Sequence, residues 1–365
     1  MDIGFFSVFS YATINMRMKK HDKELDENGR VAMNKRQQIN RIHSLLRKLD
    51  GSEPLSIEQM MKYEKSLYDT IDACIPKYLF KYRVLNNDNI DSFINDKVYL
   101  SDPSVFNDPT DSMAYVDPEE TMNTILGFGR IIDADDFDEN HEIKINPDED
   151  LVKRVEIGNN AISTINYIRS RVKVTCFSEN IGSSLMWSHY ADNHKGFALR
   201  YKVKPFELIE CNSCKEDMVC HRRTFPFYPV IYKDKRFNVS KYAVARALYK
   251  DYDPEHDDRY VPVPLIPLLQ KGEDWAYESE WRILCHDLQR KFISMKADAL
   301  FLGEAIKSED AIKLARIARE KAIPINKMVI DYLNPKFVLG YEDWTEYDDA
   351  EIEELLPDPR EWYGQ

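Results

Sequence analysis

Short aromatic and β-branched runs, set apart by helical segments of unequal length, limit the fold of this chain more than any other feature. "KYLFKYRVL" (77–85), "KVYLSD" (97–102), "RVKVTCFSE" (171–179) and "GFALRYKV" (196–203) read as strands bounded by turn residues. So do "YPVIYK" (228–233), "WAYESEWRILCH" (275–286), "ALFLG" (299–303) and "NKMVIDYL" (326–333). Between them lie helical patterns, one near 240–250 and another at "SEDAIKLARIAREKA" (308–322). Strands and helices mix without regular alternation, and no internal repeat is visible. The pattern predicts an α+β fold: a mixed central sheet with flanking helices and a helical N-terminal lead-in.

The lead-in is read from two stripes. "NKRQQINRIHSLLRKL" places Ile39, Ile42, Leu45, Leu46 and Leu49 on one helical face. "SIEQMMKYEKSLYDTIDA" opens on Ser56, with Glu58 and Gln59 in its first turn, as a capped helix would. The expected organisation is therefore a helical segment at 1–75, a main α+β domain at 76–340 and an acidic tail at 341–365. An acidic, largely helical insertion falls at about 117–170 within the main domain.

Composition closes off several classes. Hydrophobic residues make up 43% of the chain and aromatic residues 12%, enough for a packed core. No window approaches a bilayer span, and the apolar start lacks the basic region of a signal peptide, so no membrane partner and a reducing cytoplasm are expected. The net charge is −13. Such a body repels phosphate backbones, which argues against bulk nucleic-acid affinity.

Candidate chemistry collects in a few places. On a continuous strand, Glu278, Glu280 and Arg282 would share one face, with the two carboxylates roughly 6–7 Å apart. Such a pair suits a site where positive charge develops on a sugar carbon; the alternative is an exposed face on which Arg282 neutralises a glutamate. Arg83 follows an aromatic strand and can clamp a phosphate or ribose through its planar fork, or pair with a surface acid. Ser178 ends a strand where its hydroxyl can meet a ring amide.

"WSHYADNHKG" (187–196) is the densest run. His189 and His194 stand about 140° apart around a helix, which defeats a metal site. A short helix with Gly196 as its left-handed stop fits better. Trp187, His189, Tyr190 and His194 would then line a ligand pocket, or else be satisfied core residues. Cys211, Cys214, Cys220 and His221 read as ordinary thiols beside a histidine rather than a zinc knuckle, so no metal is assigned.

Taken in order, "KYR", "FNDPTD", "CFS", "MWSHYADNHKGF" and "YESEWRI" resemble a widespread prokaryotic domain family of unknown function, over roughly 77–340. The order arginine, serine, Glu-x-Glu also resembles the pattern of ADP-ribosyltransferases, although Thr175-Cys176-Phe177-Ser178 departs from that superfamily's usual Ser-Thr-Ser. That resemblance implies an enzyme that cleaves the nicotinamide–ribose bond of NAD and passes ADP-ribose to a protein, nucleic acid or water, as a toxin or antiviral effector. It gives Arg83 the ribose or phosphate, Ser178 the nicotinamide side, Glu280 the oxocarbenium ion and Glu278 the acceptor. Two other readings stand beside it: a non-catalytic sensor of a nucleotide or phage component, and a metal-dependent nuclease using Asp108, Asp111 and the two glutamates as ligands.

Overall fold

Tyr78–Arg83 (β1) runs through the middle of the main sheet, flanked by two strands that the sequence places far from it. The computed structural model describes residues 34–50, 55–132, 147–203, 206–208, 224–248, 264–332, 335 and 338–356. The other strands of that sheet are Lys173–Ser178 (β2), Phe197–Lys202 (β3), Phe206–Leu208 (β4), Thr224–Pro229 (β5), Glu280–Cys285 (β6), Ala299–Leu302 (β7), Ile325–Ile330 (β8) and Leu339–Asp343 (β9). Their spatial order is β9-β8-β7-β3-β1-β2-β6-β5-β4. Only β7 and β8 pair in parallel, joined across the helix Ser308–Glu320; every other neighbour is antiparallel. The fold is α+β with a large mixed sheet, as the irregular pattern of elements requires.

β6 and β7 are buried along their whole length, so both of their faces are covered. The helix Lys35–Lys48 starts at a capping box between Asn34 and Gln37 and buries Ile42, Leu45 and Leu46. Ile57–Asp72 starts at a second box, Ser56 with Gln59, and buries Leu67 and Ile71. These residues join the same apolar core as the sheet. At the other end, β9 crosses the expected boundary at 340, and Trp344 and Ile352 enter that core too. The C-terminal segment is thus packed onto the main sheet rather than trailing from it.

The 117–170 segment supplies the helices Pro118–Ile132 and Pro147–Ser170, the second ending with Ile165 and Ile168 in the core. Cys211, Cys214, Cys220 and His221 lie outside the described residues. Among the described residues no helix is long and apolar enough to cross a membrane.

Two local readings need correction. The run expected as one strand at 275–286 is split: Glu273–Glu278 is a 3-10 turn, and β6 begins only at Glu280. Ser279 turns the corner with left-handed torsions, φ 45° and ψ 53°. The left-handed stop expected at Gly196 falls earlier, on Asp192, Asn193 and His194, with φ of 47°, 51° and 68°. Here a tight loop is tied back to the preceding helix, His194 N–H donating to the Trp187 carbonyl at 3.2 Å. Gly196 is needed for close approach instead, because a Cβ there would sit 2.2 Å from the Arg83 carbonyl oxygen.

Gly303 completes that junction. Its N–H donates to the Gly196 carbonyl at 2.9 Å, and a Cβ on it would lie 2.1 Å from the His194 carbonyl oxygen. The obstacle is backbone, which cannot rotate aside. Gly303→Ala is expected to destabilise the fold by about 3 kcal/mol, the upper end of ordinary overpacking. A urea midpoint equal to that of the parent protein would refute this account of the junction.

Candidate functional site

Register across three adjacent strands creates the site. Ser178 on β2 is paired with Phe80 on β1 and with Glu280 on β6, so these residues line up across the sheet. Above them opens a cavity of about 320 Å³. β1 contributes Phe80, Lys81 and Tyr82, and β2 contributes Cys176, Phe177 and Ser178. The short helix Ser184–Tyr190 adds Met186 and Tyr190, while the loop after the 3-10 turn Pro103–Val105 adds Phe106, Asn107 and Asp111. Lys271, Glu278 and Glu280 close the polar side.

That polar side is a buried charge network. Arg282, fully buried, donates to both oxygens of Asp111 at 2.8 and 2.7 Å and to both oxygens of Glu280 at 2.8 and 3.0 Å. A further N–H meets the Leu268 carbonyl at 2.8 Å, and the guanidinium lies 5.3 Å from the centre of the Phe106 ring. Lys271 bridges three carboxylates, at 2.7 Å from Glu278, 3.2 Å from Asp111 and 3.7 Å from Glu280. The Tyr190 hydroxyl donates to Glu278 at 2.5 Å, and Asn107 donates to that hydroxyl at 3.2 Å.

The two glutamates differ in what surrounds them, and their proton affinities diverge. Burial pushes Glu278 up, and the charge of Glu280 pushes it further, to about 7; Lys271 and Tyr190 offset only part of this. Burial also opposes ionisation of Glu280, but the charge and hydrogen bonds of Arg282, with Lys271 behind them, outweigh it and hold that carboxyl below its ordinary value. Asp111 is held low in the same way. One acid of the pair is poised near neutrality while its neighbour stays ionised, the arrangement by which two carboxylates take separate roles.

Ser178, Tyr190, Glu278 and Glu280 therefore come together from the set singled out in the sequence. The left-handed Ser279, not a shared strand face, lets both carboxylates reach Lys271. Ser178 acts on the site through Glu278: its hydroxyl donates to the Glu278 carbonyl at 2.6 Å and accepts from the Asn180 N–H at 3.1 Å.

Arg83 is not brought to the cavity. It is buried at the end of β1, where it donates to the Asn89 side chain at 3.0 Å and to the Lys97 carbonyl at 3.5 Å. Trp187 is a core residue with no exposure; its indole N–H donates to the Ile181 carbonyl at 2.8 Å and its ring meets Tyr82 edge-on. His189 is exposed beside Trp275 and Tyr277. His194 lies 3.1 Å from the Ser188 hydroxyl, and its pKa is lowered by burial. Most of the 187–196 run builds the loop junction, and Tyr190 alone of its four candidates lines the cavity.

Asp108 caps its own turn, accepting from the N–H and hydroxyl of Thr110 at 2.8 Å each. Asp111 is committed to Arg282 and Lys271. Among the described residues no three His, Cys, Asp or Glu side chains form a metal-ligating group. The sequence reading missed Lys81, Lys271, Asn107 and Cys176. Lys81 carried one available signal, a charged residue in the centre of an otherwise aromatic strand; Lys271 carried none.

Residues 186–283 match a family model described as a protein of unknown function (DUF2971). The match runs from the helix bearing Tyr190 to β6, and so spans Lys271 and both glutamates. Phe80, Lys81 and Ser178 fall before it. No curated protein and no solved structure matches the chain.

Proposed function

We propose that this protein cleaves the nicotinamide–ribose bond of NAD and transfers ADP-ribose to water or to a protein or nucleic-acid acceptor. The observation that carries this reading is the pair of carboxylates with opposed proton affinities in one aromatic-walled cavity. Heterolysis of the C–N bond leaves its electron pair on the nicotinamide nitrogen and positive charge on the ribose. An ionised Glu280 opposes that charge. Glu278, poised near neutrality, takes the proton from the acceptor hydroxyl as the new C–O bond forms. The products are nicotinamide, the ADP-ribosylated acceptor and one proton, so charge and atoms balance. A cavity of about 320 Å³ suits the ring and part of the sugar, at the lower end of ordinary ligand pockets.

The test is incubation of the purified protein with NAD, alone and with cell lysate, with released nicotinamide read by chromatography. Release by the parent protein and none by Glu280→Gln supports the assignment. Silence under both conditions sinks it. If nicotinamide still binds in that case, the cavity belongs to a non-catalytic sensor.

A further inference from the structure

Besides Lys271, the cavity is lined by a second lysine that the reaction above does not use. Lys81 lies at the centre of β1, and its ammonium donates to the Thr175 hydroxyl at 2.9 Å and to the Cys176 carbonyl at 2.8 Å. Both partners are neutral, and among the described residues no carboxylate forms an ion pair with it. An ammonium has three N–H donors; this one also lies 5.2 Å from the centre of the Phe177 ring, and beyond its two oxygen partners one N–H is left without an oxygen acceptor. The residue is partly exposed and lines the cavity. Burial, followed by repulsion from Arg83, brings its pKa down to about 8, so an added acceptor would favour the charged form.

Among the described residues no carboxylate supplies that acceptor. Glu280 and Asp111 are taken by Arg282 and Lys271, and Glu278 by Lys271 and Tyr190. The missing partner is an oxygen on the ligand. Phe80, Tyr82, Phe106 and Phe177 wall the space and favour a planar ring. Counting Lys81, three cations stand against the three carboxylates Asp111, Glu278 and Glu280, a balance that a neutral ligand leaves undisturbed. A carboxamide satisfies both conditions: its oxygen accepts from an ammonium, and its NH2 offers donors to surrounding acceptors.

We infer that Lys81 anchors the carbonyl oxygen of a planar heteroaromatic carboxamide, and so sets which ring the cavity accepts. This rests on the NAD reading, in which the ring is nicotinamide, but ring recognition requires no turnover. The ammonium thus takes the nicotinamide-side part that the resemblance assigned to Ser178.

The experiment is equilibrium binding of nicotinamide, 3-methylpyridine and nicotinate to the full chain and to Lys81→Met, without NAD. The parent protein is expected to prefer nicotinamide over 3-methylpyridine by roughly 10- to 100-fold, the worth of one charge-assisted hydrogen bond. Lys81→Met is expected to lose that preference while keeping its melting temperature within a few degrees. Equal affinity of the parent protein for the two rings overturns the proposal, and does so even if the variant fails to fold. Tighter binding of nicotinate overturns the carboxamide assignment. Ring binding with the expected preference but no nicotinamide release from NAD leaves Lys81 as the anchor and removes the transferase reading alone.

Discussion

Arg282→Met is expected to lower the free energy of unfolding by about 3–5 kcal/mol, the cost of breaking a buried ion pair from one side. Arg282 has no exposure, and its fork serves Asp111 and Glu280 together. Methionine fills the volume but leaves those carboxylates, among the described residues, with Lys271 as their remaining cation, at 3.2 and 3.7 Å. They must then either stay charged in an apolar site or take up protons. The pH dependence has a definite sign. Asp111 and Glu280 have lowered folded-state pKa values, so the stability they confer is present above the ordinary carboxylate range and is lost as pH falls through the folded values. The gap between the parent protein and Arg282→Met should accordingly narrow from pH 7 toward pH 3. Urea unfolding at a series of pH values checks it. A constant gap would mean that the arginine stabilises through packing alone.

Glu278→Gln is expected to reduce NAD cleavage by about 10²- to 10⁴-fold, the usual worth of a general acid–base group. The fold should survive, since the one oxygen of glutamine can still accept from Lys271 while its NH2 donates to the Tyr190 hydroxyl oxygen, and the repulsion with Glu280 is removed. In the parent protein, a base that must be ionised makes the rate rise with pH and level off above about 7. Tyr190→Phe deletes a donor to the ionised form, so its profile should move to higher pH. A flat profile in the parent protein, or an unmoved one in Tyr190→Phe, would remove Glu278 from the proton-transfer role. Stability runs the other way for this group. Its raised pKa means that its contribution is largest below the ordinary glutamate value and is lost as pH rises through about 7.

Much of the scaffold was legible because its causes are local. Ser56 with Gln59 marks a helix start by side-chain hydrogen bonds spanning three residues, and the Ile42, Leu45 and Leu46 stripe marks the buried face of the helix before it. The aromatic strands announced themselves by composition and alternation. The 275–286 segment misled for an equally local reason: alternation continues through Ser279, yet a single left-handed residue breaks the strand there. The 187–196 run misled differently. Its polar, ring-rich composition suits a pocket wall, but its backbone is used to make a tight junction with Gly303 and β1.

By itself, then, the sequence determined the class of fold, the two helices at 35–72 and the glutamate pair worth testing. Those features depend on propensity, periodicity and residue type within one or two turns of chain. Tertiary structure alone decided the membership of the site. Lys81, Asp111, Ser178, Tyr190 and Lys271 are distant along the chain and meet only because β1, β2 and β6 lie side by side. It also divided the roles of the two glutamates, since proton affinity follows burial and the nearest charge. Arg282 stands against Glu280, and the negative charge of Glu280 in turn stands against Glu278.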